Sequence, residues 1–158
     1  MENYIEKLKE MVGKCRVGML GVYGDDRMHF GPMSHVDIDD QGNLWFFISN
    51  ESGMAFTIKD DPSVHLTYAH EPDGTFLSIE GIARINGSKA KMKELFNSYV
   101  KAWFPKGLDD PTLSLLVVRP TGVDYWTNES KILTHNKMFS ANVSKKNISQ
   151  SHEGRLRV

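Results

Sequence analysis

The stretch SVHLTYAHEPDGTFLSIEGIARI (63–85) decides the fold. Over 63–70, Val64, Leu66 and Tyr68 alternate with Ser63, His65 and Thr67, the period of a strand with one buried face. Pro72-Asp73-Gly74 is a turn signal, and 75–85 reads as the next strand. So short a connection forces an antiparallel pair, because a parallel pair needs a crossover of a dozen residues or more. Upstream, Cys15 opens an apolar strand over 15–23, and Gly24-Asp25-Asp26 is a hairpin turn. The return strand, 28–37, is broken at Gly31-Pro32, where a proline marks a bulge, an edge or a strand end. Asp39-Asp40-Gln41-Gly42 then turns the chain into an apolar strand over 43–49. Strands over 113–118 and 123–127, joined by Pro120-Thr121-Gly122, close the body.

Three helices are expected around these strands. Residues 2–13 carry Ile5, Leu8, Met11 and Val12 at helical spacing. Ser52 is placed to cap a short helix that ends before Pro62. Ser88 opens a longer one with Met92, Leu95, Phe96, Tyr99, Val100 and Trp103 on one stripe. Six or seven short strands with no βαβ alternation predict a mainly β protein, a small antiparallel β-barrel with helices packed outside.

The chain has 158 residues, 40% of them apolar, and a formal net charge of −1. That length suits one domain able to bury roughly two-thirds of its unfolded surface. Its near-neutral charge argues against nucleic acid, and no apolar run is long enough to cross a membrane. Cys15 is the only cysteine, which excludes internal disulfides and multi-cysteine metal sites. MENYIEKLKEMVGK (1–14) lacks the apolar stretch of a secretory signal, so a cytoplasmic location is expected. Residues 129–158 hold six basic and two acidic residues and end in a Ser/Asn/Lys-rich run. The expectation is a domain over 1–128 and a polar, basic, flexible extension over 129–158.

No P-loop, GxGxxG, GxSxG or HExxH pattern is present. His29 and His35 share one strand face, and His65 and His70 lie on another strand, but no spacing matches a metal motif and no metal is expected. A lone Cys at a strand start reads as packing. More pointed is the passage from the apolar strand through Ser49-Asn50-Glu51 into a helix opening at Ser52. Hydroxyls beside free helix-terminal N–H groups suit an anion, unless Ser52 merely caps its helix. Trp45 and Trp103 are assigned to the core by default, whereas Trp126 could wall a planar ligand.

Taken in order, several segments resemble the pyridoxamine 5′-phosphate oxidase-like flavin-binding split barrels, in particular their general-stress-protein branch. They are Gly31-Pro32-Met33, DDQGNLWFFISNES (39–52), DDPSVHLTY (60–68), FLSIEGIARI (76–85), KAWFPKGLDDP (101–111) and VDYW (123–126). The resemblance implies a homodimer with FMN at the subunit interface. It places the flavin ring along Gly31, Pro32, Met33, Phe46, Phe47, Ile48 and Ser49, and the phosphate by Ser52, Gly53 and Met54. Trp126 would reach the cofactor from the partner subunit. It further implies electron or hydride transfer between a reduced nicotinamide and a small acceptor. Flavin or haem storage without turnover, or a cofactor-free dimer, are the alternatives.

Two positions depart from the family's pattern, which carries Arg where Gly31 stands and Lys where Met54 stands. Each lost charge-assisted hydrogen bond is worth about 1.5–3 kcal/mol, so FMN would bind roughly two to four orders of magnitude more weakly without compensation. Arg27, Lys59, Arg84, Lys101 and Lys106 are the candidate replacements. The segment after Trp126, Thr127-Asn128-Glu129-Ser130-Lys131, lacks the Arg-x-His type motif of the true oxidase, and that activity is not expected.

Overall fold

A computed structural model describes residues 4–128 and 151–156. Helix α1 (Tyr4–Gly13) leads into hairpin β1 (Gly18–Gly24) and β2 (Arg27–Met33). Asp25 and Asp26 take φ of 53° and 59° between them, the two left-handed residues a tight hairpin needs. Then come β3 (His35–Ile38), β4 (Leu44–Ser49), α2 (Gly53–Asp60), β5 (Ser63–His70) and β6 (Thr75–Asn86). Helices α3 (Lys89–Leu95) and α4 (Ser98–Trp103) precede β7 (Leu113–Asn128) and β8 (Ser151–Leu156). Among the described residues, no helix is long and apolar enough to cross a membrane.

The strands form one antiparallel sheet in the order β2-β1-β5-β6-β7-β4-β3, with β8 on β7. The two ends of that order are consecutive in the chain, separated only by Ser34. The sheet therefore curls until its edges meet at Ser34, which makes a split barrel. Pro32 is accommodated because β2 is an edge strand paired only with β1. Alternate residues fill the interior: Val64, Leu66 and Tyr68 from β5, Leu77 and Ile79 from β6, and Phe46 from β4. Leu8, Met11 and Val12 of α1 pack against the same core. A second cluster, Phe47, Met92, Val100, Leu113 and Leu115, lies between the outer face of β4–β7 and the helices.

Four features differ from the expectation. The strand expected over 28–37 breaks at Ser34, not at Gly31-Pro32, since an edge strand tolerates proline. The single helix expected from Ser88 is two, because Asn97 caps α4 by accepting from the Val100 N–H at 3.0 Å. The two last strands are one, since Pro120 pairs with Gly81 at a register irregularity and needs no ladder bond there. Finally, six residues of the stretch expected to be flexible, Ser151–Leu156, form β8 on the free edge of β7. Arg155 lies 3.6 Å from Glu80 and 3.7 Å from Asp124, and Leu156 packs on the core. The remainder of that stretch lies outside the described residues.

At the β5–β6 corner, Gly74 takes φ 65° and Asp73 is almost wholly buried. His70 Nδ1 lies 2.9 Å and Lys14 Nζ 3.1 Å from its carboxylate. Burial alone would raise the Asp73 pKa, but hydrogen bonds from His70, Thr75 and Lys14, with the Lys14 charge, hold it well below the usual carboxylate range.

Two outcomes follow from this frame. A Cβ at Gly81 would lie 2.8 Å from Val118 Cγ1 and 2.9 Å from the Arg119 carbonyl oxygen, whereas one at Gly87 meets nothing within 4 Å. Gly81→Ala is thus expected to cost about 1–3 kcal/mol in denaturant unfolding, and Gly87→Ala no comparable amount; equal effects would contradict the bulge. A depressed carboxyl pKa stabilises the fold above the unfolded value of about 3.9 and loses that contribution as pH falls below it. Asp73→Asn should therefore be less stable than wild type at neutral pH by about 1–3 kcal/mol. The gap should close as the medium is acidified below about pH 4, and a gap independent of pH would contradict the assignment.

Candidate functional site

Strand β4 is delivered to the site by a tightly bonded turn. Asp39 accepts from the N–H of Gln41 and Asn43, each at 2.9 Å, and from Trp45 Nε1 at 3.0 Å, while Gly42 supplies φ 82°. Trp45 is thereby committed to structure. Beyond it, Phe46 is wholly buried in the barrel, edge-on to the His35 ring. Phe47 faces the other way and meets Phe96 edge-to-face at 6.0 Å. At the end of β4, Ser49 Oγ accepts from the Glu51 N–H at 3.3 Å, and its carbonyl accepts from the Ser52 N–H at 3.1 Å.

Ser52 is an N-cap: its Oγ accepts from the Ala55 N–H at 3.2 Å. Of the first-turn donors of α2, the amides of Gly53 and Met54 then remain for an external acceptor.

A cleft of about 470 Å³ opens between β2, β4, the start of α2 and α4. Of the residues expected to hold a cofactor, Pro32, Met33, Phe47, Ile48, Ser49, Ser52 and Met54 line it. Gly31 sits directly behind, since a Cβ there would be 3.1 Å from Met54 Cε. Gly53 is exposed at the helix start, and Phe46 is turned into the core. Trp126 is not in this cleft. It lines a second hollow of about 400 Å³ with Met19, Thr67, Ala69 and Phe76, and Val17 borders both.

The outer wall of the cleft was not legible from sequence. Tyr99 and Trp103 of α4, 49% and 73% exposed, face it with Val100 and Phe104. The helical stripe carrying them reads as core, yet the break at Asn97 re-aims α4 and leaves both aromatics at the cleft mouth. Hence Trp103, assigned to the core by default, is one of the most exposed large side chains described.

No lining residue carries a charge. Arg27, Lys59, Arg84, Lys101 and Lys106 all stand outside the lining, and Lys59 lies over the Phe56 ring at 5.4 Å. The cleft fits the apolar faces of a planar ring system and offers hydroxyls and two amides to its polar edge. It does not fit a phosphate dianion by charge.

The histidines do not converge. His29 bonds the Gly24 carbonyl, His35 the Tyr68 hydroxyl at 3.2 Å, and His70 Asp73, while His65 lies 3.9 Å from Glu80. Burial lowers the His35 pKa against a smaller pull from Asp37, so its ring is a neutral partner for Tyr68. Among the described residues no group of three or more potential metal ligands occurs. Burial also pushes the Cys15 thiol pKa up, which makes it a poor nucleophile.

With this geometry in hand, the comparisons with known proteins are specific. The family model "pyridoxamine 5′-phosphate oxidase like" matches residues 3–149. General stress protein 26 of Bacillus subtilis is 25% identical over 121 residues, covering 75% of this chain and 84% of that one. A general stress FMN/FAD-binding protein from Xanthomonas citri superposes with a TM-score of 0.70 at 30% identity, over 82% of this chain and 92% of its own. General stress protein 26 of Bacillus anthracis superposes with a TM-score of 0.68 at 22% identity, over 77% and 92%. The family match runs through every element that builds the cleft, and the chain belongs to the pyridoxamine 5′-phosphate oxidase-like family, in its general-stress-protein branch.

Proposed function

We propose that this chain is a cytoplasmic flavin-binding protein that acts as a homodimer. Its flavin, FMN in the family's pattern, would pass electrons or hydride from a reduced nicotinamide to a small acceptor. The observation that carries this reading is the uncharged cleft of about 470 Å³, walled by Pro32 and Met33 on one side and Trp103 and Tyr99 on the other. Planar heteroaromatic ligands are held by such walls through area burial and stacking, with a few polar groups setting orientation. A relative 30% identical to this chain is described as FMN/FAD-binding, which supports the same class of ligand.

Bound there, a flavin supplies the redox chemistry, and the protein supplies position and surroundings. Phe47, Ile48 and Met33 exclude water from one side of the cleft. The Ser49 and Ser52 hydroxyls and the Gly53 and Met54 amides would donate to ring or side-chain oxygens. No Asp, Glu, His, Lys or Cys lines the cleft, and its exchangeable side-chain protons are those of hydroxyls such as Tyr99, Ser49 and Ser52 and of the Trp103 indole. That favours a second reading, storage of flavin without turnover, which anaerobic mixing with reduced nicotinamide separates from the first.

The dimer reading rests on the outer face of the β1–β2 hairpin. Met19, Tyr23, Met28 and Phe30 are each between 41% and 55% exposed there, an apolar strip continuous with Pro32 at the cleft mouth. A second copy covering it would bring its Trp126 towards the cleft, in line with the family's arrangement.

Two experiments test these readings. Titration of flavin-free protein with FMN, followed by quenching of flavin fluorescence, should saturate at one flavin per chain. Trp103→Ala should weaken binding roughly 3- to 10-fold, the worth of one aromatic contact. Failure to bind any flavin would end the proposal. In sedimentation the wild type should be a dimer and Phe30→Glu a monomer; a monomeric wild type would remove the partner from the site.

A further inference from the structure

We infer that the cleft recognises the flavin ring and not its phosphate, so that riboflavin, the uncharged flavin, binds this protein as well as FMN does. The inference rests on the flavin-binding reading above and narrows its ligand. Three observations carry it.

The first is electrostatic. Every residue lining the cleft is uncharged, including all those around the first turn of α2. A phosphate dianion moved into such surroundings gives up its hydration, and only charged donors return a comparable energy. The two free amides and the α2 dipole would offset only part of that cost.

The second is steric. Gly31 leaves a gap on β2 that Met54 occupies: its Cε would be 3.1 Å from a Cβ at position 31. Met54 also packs on the barrel core. The thioether therefore fills the place where a cation from either position would stand, and the two residues form one apolar plug beside the helix start.

The third concerns the alternatives within the chain. Lys59 is the basic residue of α2, but it sits six residues beyond Gly53, about 9 Å along the helix, and its Nζ is engaged over Phe56. Arg155 faces Glu80 and Asp124. Arg27, Arg84, Lys101 and Lys106 are likewise absent from the residues that line the cleft.

The test compares FMN and riboflavin on the intact wild-type protein by fluorescence quenching, at low salt and at about 0.5 M salt, where charge pairing is screened. Dissociation constants within threefold of each other, with no salt dependence for FMN, are expected. Met54→Lys should then raise the preference for FMN over riboflavin, both measured on that same variant, by roughly tenfold or more. FMN binding the wild type tenfold tighter than riboflavin would overturn the inference while leaving the flavin reading intact. Binding of neither flavin would overturn both. Should Met54→Lys fail to fold, the wild-type comparison and its salt series decide alone.

Discussion

The hydrogen-bond ladder of β7 is the constraint on which the rest of the molecule hangs. Its sixteen residues, Leu113–Asn128, pair with β6 along one edge, and with β4 and then β8 along the other. One edge of β7 serves β4 and then β8 in succession, and opposite Gly81 the register leaves one extra residue, Thr121, in β7, a bulge that bends the strand without breaking the chain. Because Leu113–Val118 pairs residue by residue with Leu44–Ser49, β7 sets where Phe47, Ile48 and Ser49 stand. The outward face of the same half-strand, with Leu113 and Leu115, is covered by Met92 and Val100, so β7 also places α4 and the aromatic wall of the cleft.

The cleft that results is chemically plain, and its plainness is informative. Apolar walls and a few neutral polar groups are well suited to the faces and edges of a planar ring, and poorly suited to a concentrated negative charge. The likeness to a 30% identical FMN/FAD-binding relative and the absence of charge in the lining are therefore not in conflict. On the proposed reading they separate two parts of one ligand, the ring that the cleft would hold and the phosphate that Gly31 and Met54 would not address.

Local signals were enough for most of the fold. Asp25 and Asp26 at left-handed φ, Gly42 at 82° and Gly74 at 65° stand where the turn residues lie, so the hairpins could be read directly. Ser52 caps α2 as its position suggested, and the alternation of Val64, Leu66 and Tyr68 is the alternation of the interior. Where the reading failed, the deciding contact was distant in sequence. Pro120 looks like a turn until Gly81 is seen opposite it. The stripe from Met92 to Trp103 looks like one helix, since the competing cap at Asn97 is weaker in sequence than the run of apolar residues around it. β8 has too few large apolar side chains to announce itself, and it exists because β7 leaves an edge to pair with. At the cleft, seven residues named from the family likeness, on β2, β4 and the start of α2, are among the lining, whereas Tyr99 and Trp103 were not named, because helical periodicity assigns them to a core they do not enter.

The most direct check on the central claim, that this cleft seats a flavin ring, is a crystal structure of the protein grown with flavin. The ring should lie between Pro32–Met33 and the Phe47–Ser49 strand, with Trp103 against its edge or face. A ring found instead in the hollow beside Trp126 within one chain, or no ordered flavin at saturating concentration, would contradict it.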